Sequence, residues 1–172
     1  ETFAAVAPFA VTLVRQANAG ADRALNIGLA LARAGIVALL NSDDAFEPAR
    51  LDRLVGGLAV GIDLAFSGCA FVDDDDAASD GAYATELRRR QDETWRAPTL
   101  LHVLVRYNAA VSTGNLVFRR ALLARTGGFA PLAVCHDWDF VLAATYATRF
   151  AVVPDPLYRY RLHDANTFAV RR

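Results

Sequence analysis

Apolar residues follow two rhythms along this chain. Phe9 to Arg15 alternates and carries β-branched residues, which predicts a strand. Ala17-Asn18-Ala19-Gly20 reads as a turn, after which Asp22 can cap a helix running to about Ala34, with Gly35 as its stop signal. Ile36 to Leu40 is a short apolar run, the pattern of a strand buried on both faces, and it ends abruptly in Asn41-Ser42-Asp43-Asp44. A second helix follows, with Pro48 in its first turn and Leu51, Leu54, Val55 and Leu58 on one face. Ile62 to Val72 is the next strand, and the polar stretch from Asp73 to Glu93 reads as a solvated loop. Helices are expected over Pro98–Tyr107, Arg119–Arg125 and His136–Ala147, and extended segments over Asn115–Phe118, Phe150–Val153 and Leu157–His163. Strand alternating with helix is the signature of an α/β layered domain with a mainly parallel sheet, in which ligands bind where strands end.

Composition narrows the class. With 172 residues, 54% hydrophobic and 22% charged, the chain suits one domain with a sizeable core. A net charge of -1 gives no support for a nucleic-acid surface. All 18 basic residues are Arg, so an anion site here is an Arg site. Cys69 and Cys135 are too few for a disulfide framework and read as free thiols. No secretory leader or membrane-length apolar run is read, which makes a reducing cytosol the default compartment. Asp73-Asp74-Asp75-Asp76 lacks the spaced ligands and turn glycine of a calcium loop.

Three segments carry candidate chemistry. Asp43 and Asp44 end a buried strand, where two carboxylates repel unless a cation sits with them. A hard divalent ion that shares its shell with phosphates meets that need; a helix cap for the following helix meets it equally. In His136-Asp137-Trp138-Asp139 the two carboxylates point to different sides of a helix, so one of them faces a cleft as a proton acceptor or else both serve as N-terminal charges. In Tyr158-Arg159-Tyr160-Arg161-Leu162-His163, a strand puts Arg159, Arg161 and His163 on one face, a stripe suited to phosphate or simply to solvent. Ser112-Thr113-Gly114-Asn115 is a small polar loop able to approach a sugar, and Gly127-Gly128-Phe129 a turn with an apolar anchor.

The order of these pieces resembles the family-2 glycosyltransferases of GT-A fold. The resemblance runs from Asn18, Gly20, Asn26, Gly35, Asn41-Ser42-Asp43-Asp44 and Pro48 through Gly114-Asn115, Arg119-Arg120, Gly127-Gly128-Phe129, His136-Asp137-Trp138-Asp139 and Tyr160-Arg161-Leu162-His163. It implies an α/β GT-A (Rossmann-like) domain spanning residues 1–172 that lacks the first strand-helix unit, since nothing before Phe9 resembles that nucleotide-binding unit. The absence of Met and the apolar opening likewise predict a piece of a longer polypeptide. The implied activity is metal-assisted transfer of a sugar from a nucleoside diphosphate sugar to a hydroxyl of a glycan or lipid-linked acceptor, with inversion. The family's DXD motif falls on Asn41-Ser42-Asp43. Asp43 and His163 are then the ligands of Mn²⁺ or Mg²⁺, and Asp137 is the catalytic base. Asn18, Asn26, Asn41, Asp44, Gly114, Asn115, Trp138 and Arg161 are the expected donor or substrate contacts. The sequence departs from the family pattern at Asn41 for Asp, His136 for Glu, and Leu25 for the Arg before Asn26. At the family level, a bacterial surface-polysaccharide role at the inner face of the membrane is implied. An exposed sheet edge is expected to pair with a second copy. A nucleotidyltransferase on a similar fold, releasing pyrophosphate, and a non-catalytic assembly module are the alternatives.

Overall fold

A computed structural model describes residues 11–163. Its elements in chain order are α1 (Ala21–Leu31), β1 (Ile36–Ala38), β2 (Ala45–Phe46), α2 (Arg50–Gly57), β3 (Ile62–Val72), α3 (Ala82–Arg96), α4 (Leu100–Leu104), β4 (Val117–Arg119), α5 (Leu123–Thr126), α6 (His136–Thr145) and β5 (Arg149–Arg161). Short 3-10 turns at Thr113–Asn115 and Arg120–Leu122 flank β4.

The five strands form a single sheet in the order β1-β4-β3-β5-β2. The α/β class holds, but the sheet is mixed rather than mainly parallel in its pairings. β4 pairs antiparallel with both β1 and β3, β2 pairs antiparallel with β5, and only β3 with β5 is parallel among the described strands. The direction of β1, β3 and β5 is nevertheless shared. The antiparallel β4 wedges between β1 and β3, so the parallel pattern of sequence order is broken in space.

Side-chain alternation along β3 divides the core. Leu64 and Phe66 join Val37, Phe118 and Phe140 on the face covered by α1, α4 and α6. Ala65, with Val117, meets Leu54 of α2 and Leu58 just after it on the other face. A third cluster of Cys69, Phe71 and Tyr158 packs under Ala84 and Leu87 of α3. None of the helices among the described residues is long and apolar enough to cross a membrane.

Several expectations are corrected. Val11 to Arg15 forms no strand: Val11, Leu13 and Val14 are exposed, and no described strand pairs with them. Phe9 and Ala10 lie outside the described residues. The α1 N-cap is Gly20 and not Asp22, which sits in the first turn. β1 is shorter than expected and buries only Val37, because it ends the sheet on one side and leaves Leu40 exposed. Pro48 precedes α2, whose Leu51 and Val55 face solvent. The expected loop to Glu93 is mostly α3. Its charges are helix partners: Glu86 pairs with Arg89 and Arg90, and Glu93 with Arg89, at three- and four-residue spacing.

Candidate active site

The acidic turn after β1 is braced from beneath. Arg50 of α2 is fully buried, with its guanidinium 4.7 Å from the Phe46 ring and 5.0 Å from the Tyr158 ring. It donates to Ser67 Oγ and to the Asn115 carbonyl, and burial lowers its pKa to about 10. Asn115, also fully buried, donates to the carbonyls of Ser67 and Ala110 at 2.8 and 2.9 Å. Tyr158 then donates from its hydroxyl to Asp44 Oδ2 at 2.5 Å, and the Arg161 backbone N–H donates to Asp44 Oδ1 at 2.8 Å. Burial raises the pKa of Asp44, and these two hydrogen bonds draw it back. Asn41 closes the turn, donating to Asp44 Oδ2 at 2.9 Å and to Ser112 Oγ at 2.8 Å.

With Asp44 turned inward, Asp43 is left facing outward. His163 Nε2 lies 3.0 Å from Asp43 Oδ2. Both side chains line a cavity of about 400 Å³ together with Asn41, Thr113, His136 and Asp137. Asp137 enters from the first turn of α6. Its Oδ1 accepts from the Trp138 backbone N–H at 2.8 Å, and its Oδ2 from Asn108 Nδ2 at 2.9 Å. Burial pushes the Asp137 carboxyl above the usual carboxylate range, against those hydrogen bonds and the neighbouring His136. His136 Nε2 sits 3.2 Å from Thr113 Oγ1. The acidic turn and the start of α6, 94 positions apart by residue number (Asp137 against Asp43), therefore share one crevice.

The other expected contacts take different places. Asn26 accepts from the Phe129 backbone N–H at 3.0 Å and donates to its carbonyl at 2.8 Å, pinning the turn in which Gly128 has φ 83°. Gly114 gives Tyr158 and Asn41 room, since a Cβ there would lie 2.9 Å from the Asn41 backbone nitrogen. Arg161 is drawn to the carbonyls of Asp43 and Asp73 and to Asp76. Trp138 donates from Nε1 to the Leu104 carbonyl at 2.7 Å and lines a different cavity. Asn18 is exposed and accepts from the Gly20 N–H at 3.3 Å. None of Asn18, Asn26, Asp44, Gly114, Asn115, Trp138 or Arg161 lines the 400 Å³ cavity. Buried polar groups here brace the turn, because an inward carboxylate or amide is stable only when its partners surround it. The sequence reading missed Arg50, Asn108 and the hydroxyl of Tyr158. Arg50 looked like one more polar helix position, and Asn108 stood outside any motif.

Among the described residues no group of three His, Cys, Asp or Glu side chains is placed to hold a metal ion. The pair Asp43 and His163 supplies two.

Known proteins resemble this chain in sequence and in fold. An uncharacterized glycosyltransferase of Nostoc sp. is 25% identical over 93% of this chain, which spans 49% of that relative. Among solved structures, S. aureus TarS in complex with UDP-GlcNAc superposes with a TM-score of 0.63 at 16% identity, covering 89% of this chain and 42% of that one. The mannosyltransferase PcManGT of Pyrobaculum calidifontis, in complex with GDP-Man and Mn²⁺, gives 0.61 at 23% identity, covering 94% and 42%. The chain thus spans about half the length of the curated relative and less of the two structures. The sequence pattern described as glycosyl transferase family 2 matches residues 1–124, well over half of the chain. The chain belongs to glycosyl transferase family 2.

Proposed function

We propose that this chain carries the catalytic centre of a glycosyltransferase that moves a sugar from a nucleoside diphosphate sugar to a hydroxyl of a glycan or lipid-linked acceptor. The observation that carries the reading is that Asp43, His163 and Asp137 line one and the same cavity. Asp137 is the base. Its raised pKa strengthens it as a proton acceptor, and Asn108 aims its carboxylate. It takes the proton of the attacking hydroxyl as that oxygen bonds to the anomeric carbon, while the bond to the diphosphate breaks with its electrons. A base facing a separate leaving-group site suits one displacement with inversion.

The donor set fits a divalent ion such as Mn²⁺ or Mg²⁺. Asp43 and His163 offer one carboxylate and one imidazole, close together and half-exposed to the cavity, so substrate oxygens would complete the shell. Such an ion would neutralise charge on the departing diphosphate. Binding of GDP-Man and Mn²⁺ by one structural relative supports the same reading.

Calorimetry with Mn²⁺ and UDP-, GDP- and dTDP-sugars tests it. Asp43→Ala is expected to abolish metal-dependent donor binding. Asp137→Asn should keep binding and lower transfer by about 10²–10⁴-fold. Equal transfer by wild type and Asp137→Asn would defeat the assignment.

A further inference from the structure

Five arginines gather at one end of the sheet. Arg33 follows α1, Arg119 ends β4, Arg120 lies in the 3-10 turn after it, Arg125 belongs to α5, and Arg149 opens β5. β1, β3 and β5 start at this end, and β4 ends there because it runs against both of its neighbours. The Arg120 N–H donates to the Gly35 carbonyl at 2.9 Å, and the Arg149 N–H to the Gly61 carbonyl at 3.2 Å. Three of the guanidiniums are held by backbone carbonyls: Arg119 by Leu58, Arg120 by Ala34 and Arg125 by Ala147. A carbonyl fixes a guanidinium without cancelling its charge. Among the described residues, Asp63 is the carboxylate in ion-pair contact with this group, shared by Arg119 and Arg125. Five cations against one anion leave a surplus of four positive charges, on a chain whose total is -1.

Apolar side chains stand out of the same end. Val60, in the turn before β3, is 97% exposed, and Tyr146, in the turn before β5, is 96% exposed; no other large apolar side chain described is exposed as far. Their turns meet, since the Gly61 carbonyl accepts from Thr148 Oγ1 at 3.2 Å as well as from the Arg149 N–H. Tyr146 and Arg149 also line a surface groove of about 370 Å³, walled by Leu100, Leu101, Phe150 and Val152. An exposed valine alone is ordinary; two apolar tips and an apolar groove set among uncancelled arginines are a patch with a chemistry.

That chemistry is the surface of an anionic bilayer. Guanidiniums meet lipid phosphates, a tyrosine ring suits the headgroup level, and an aliphatic tip enters the acyl boundary. A nucleic acid satisfies the arginines but offers nothing apolar to Val60 or to the groove. A protein partner needs a pocket shaped for each tip, whereas the acyl boundary accepts both without one. We infer that this end of the sheet docks the chain on a membrane of anionic phospholipid. The cavity of Asp43 and Asp137 lies towards the opposite end, where Asn41 follows β1 and His163 follows β5. The 11 residues of β3, at about 3.3 Å each, set the two ends roughly 35 Å apart, so the docked chain keeps its cavity open to water.

Vesicle co-sedimentation tests this, and it is read without any transfer assay, so its outcome is separate from that of the transferase reading. At about 50 mM salt the chain should bind phosphatidylcholine vesicles carrying about 30% phosphatidylglycerol at least about tenfold more tightly than pure phosphatidylcholine, and the preference should collapse at about 0.5 M salt. Arg149→Glu should weaken that binding about tenfold or more. Arg23→Glu makes the same change in net charge near Ala21, which lines the site cavity, and should leave binding within about twofold. Val60→Ser combined with Tyr146→Ser leaves every charge in place and should weaken binding about tenfold. Equal binding to the two kinds of vesicle, binding to neither, or an equal loss in Arg23→Glu and Arg149→Glu would overturn the inference. Wild-type binding by the Val60 and Tyr146 variant would overturn it too, and displacement by single-stranded RNA would then give the face to a nucleic acid.

Discussion

Replacing Asn108 by alanine removes the side-chain hydrogen bond that aims Asp137, and its cost can be worked from the geometry. Asn108 Nδ2 donates to the Asp137 carboxylate at 2.9 Å, and Asn108 Oδ1 accepts from the Ala110 backbone N–H at 3.0 Å. A bond to a charged group is worth about 1.5–3 kcal/mol and a neutral one about 0.5–1.5, so the variant should lose roughly 3 kcal/mol at neutral pH. For a chain of this size that is about 6–12 °C in Tm. The loss should depend on pH. Burial sets the folded-state pKa of Asp137 above its unfolded value, so the folded state holds this proton more tightly and stability falls as pH rises through the raised value. Removing the Asn108 donor lifts that value further. The difference between wild type and variant is then largest above both folded-state pKa values, and it shrinks towards the neutral-bond cost as pH falls through the wild-type value. Urea unfolding followed by Trp fluorescence between about pH 4 and 8 measures this directly. Asn108→Asp is the control, because it keeps the acceptor for Ala110 and sets a carboxylate against Asp137; its loss at neutral pH should exceed that of the alanine variant. A difference flat across that range, or below about 0.5 kcal/mol at neutral pH, would refute the idea that Asn108 stabilises an ionised Asp137.

Two further substitutions probe the brace under the acidic turn. Tyr158→Phe removes the buried donor to Asp44 and should cost about 1.5–3 kcal/mol in urea unfolding and weaken Mn²⁺-dependent nucleoside diphosphate binding in calorimetry; unchanged binding would separate the turn's geometry from Asp44. Gly114→Ala sets a methyl against Tyr158 Oη and the Asn41 backbone and should cost about 3 kcal/mol or more or abolish folding; a variant with wild-type urea midpoint would show that the 3-10 turn yields.

How much of this was legible in the sequence depends on whether local pattern or distant partners decided each feature. β3 was read with its observed bounds, Ile62–Val72, because an apolar run between polar ends is a local signal. α3 was misread because its buried face is thin, only Ala84, Leu87 and Thr94, and its charge density resembles a loop until the acid–base spacing is counted. The insertion of β4 between β1 and β3 was invisible, since strand order is set by contacts distant in sequence. In the site, the family-like order put Asp43, Asp137 and His163 in play. Which carboxylate of the pair faces inward was not readable: Tyr158, 114 residues away, decides it. Positive φ at Val111 runs against the residue's own preference, so no pattern predicts it.

The departure at Asn41 follows from the same brace. Its amide donates twice, to Asp44 Oδ2 and to Ser112 Oγ, tying the acidic turn to the 3-10 segment that carries Thr113. An aspartate at this position has no proton to give at neutral pH, so the bond to Asp44 would be lost, and its carboxylate would stand against that of Asp44, which burial already disfavours as an anion. Once Tyr158 and the Arg161 backbone have drawn Asp44 inward, a neutral donor is the side chain that completes its shell. The consequence reaches the cavity. Of the two carboxylates in the turn, Asp43 alone lines it, with His163 beside it and Asp137 in the same lining. Asn41 thus has a reason internal to this chain: it lets the turn hold one carboxylate as scaffold and expose the other to the cavity.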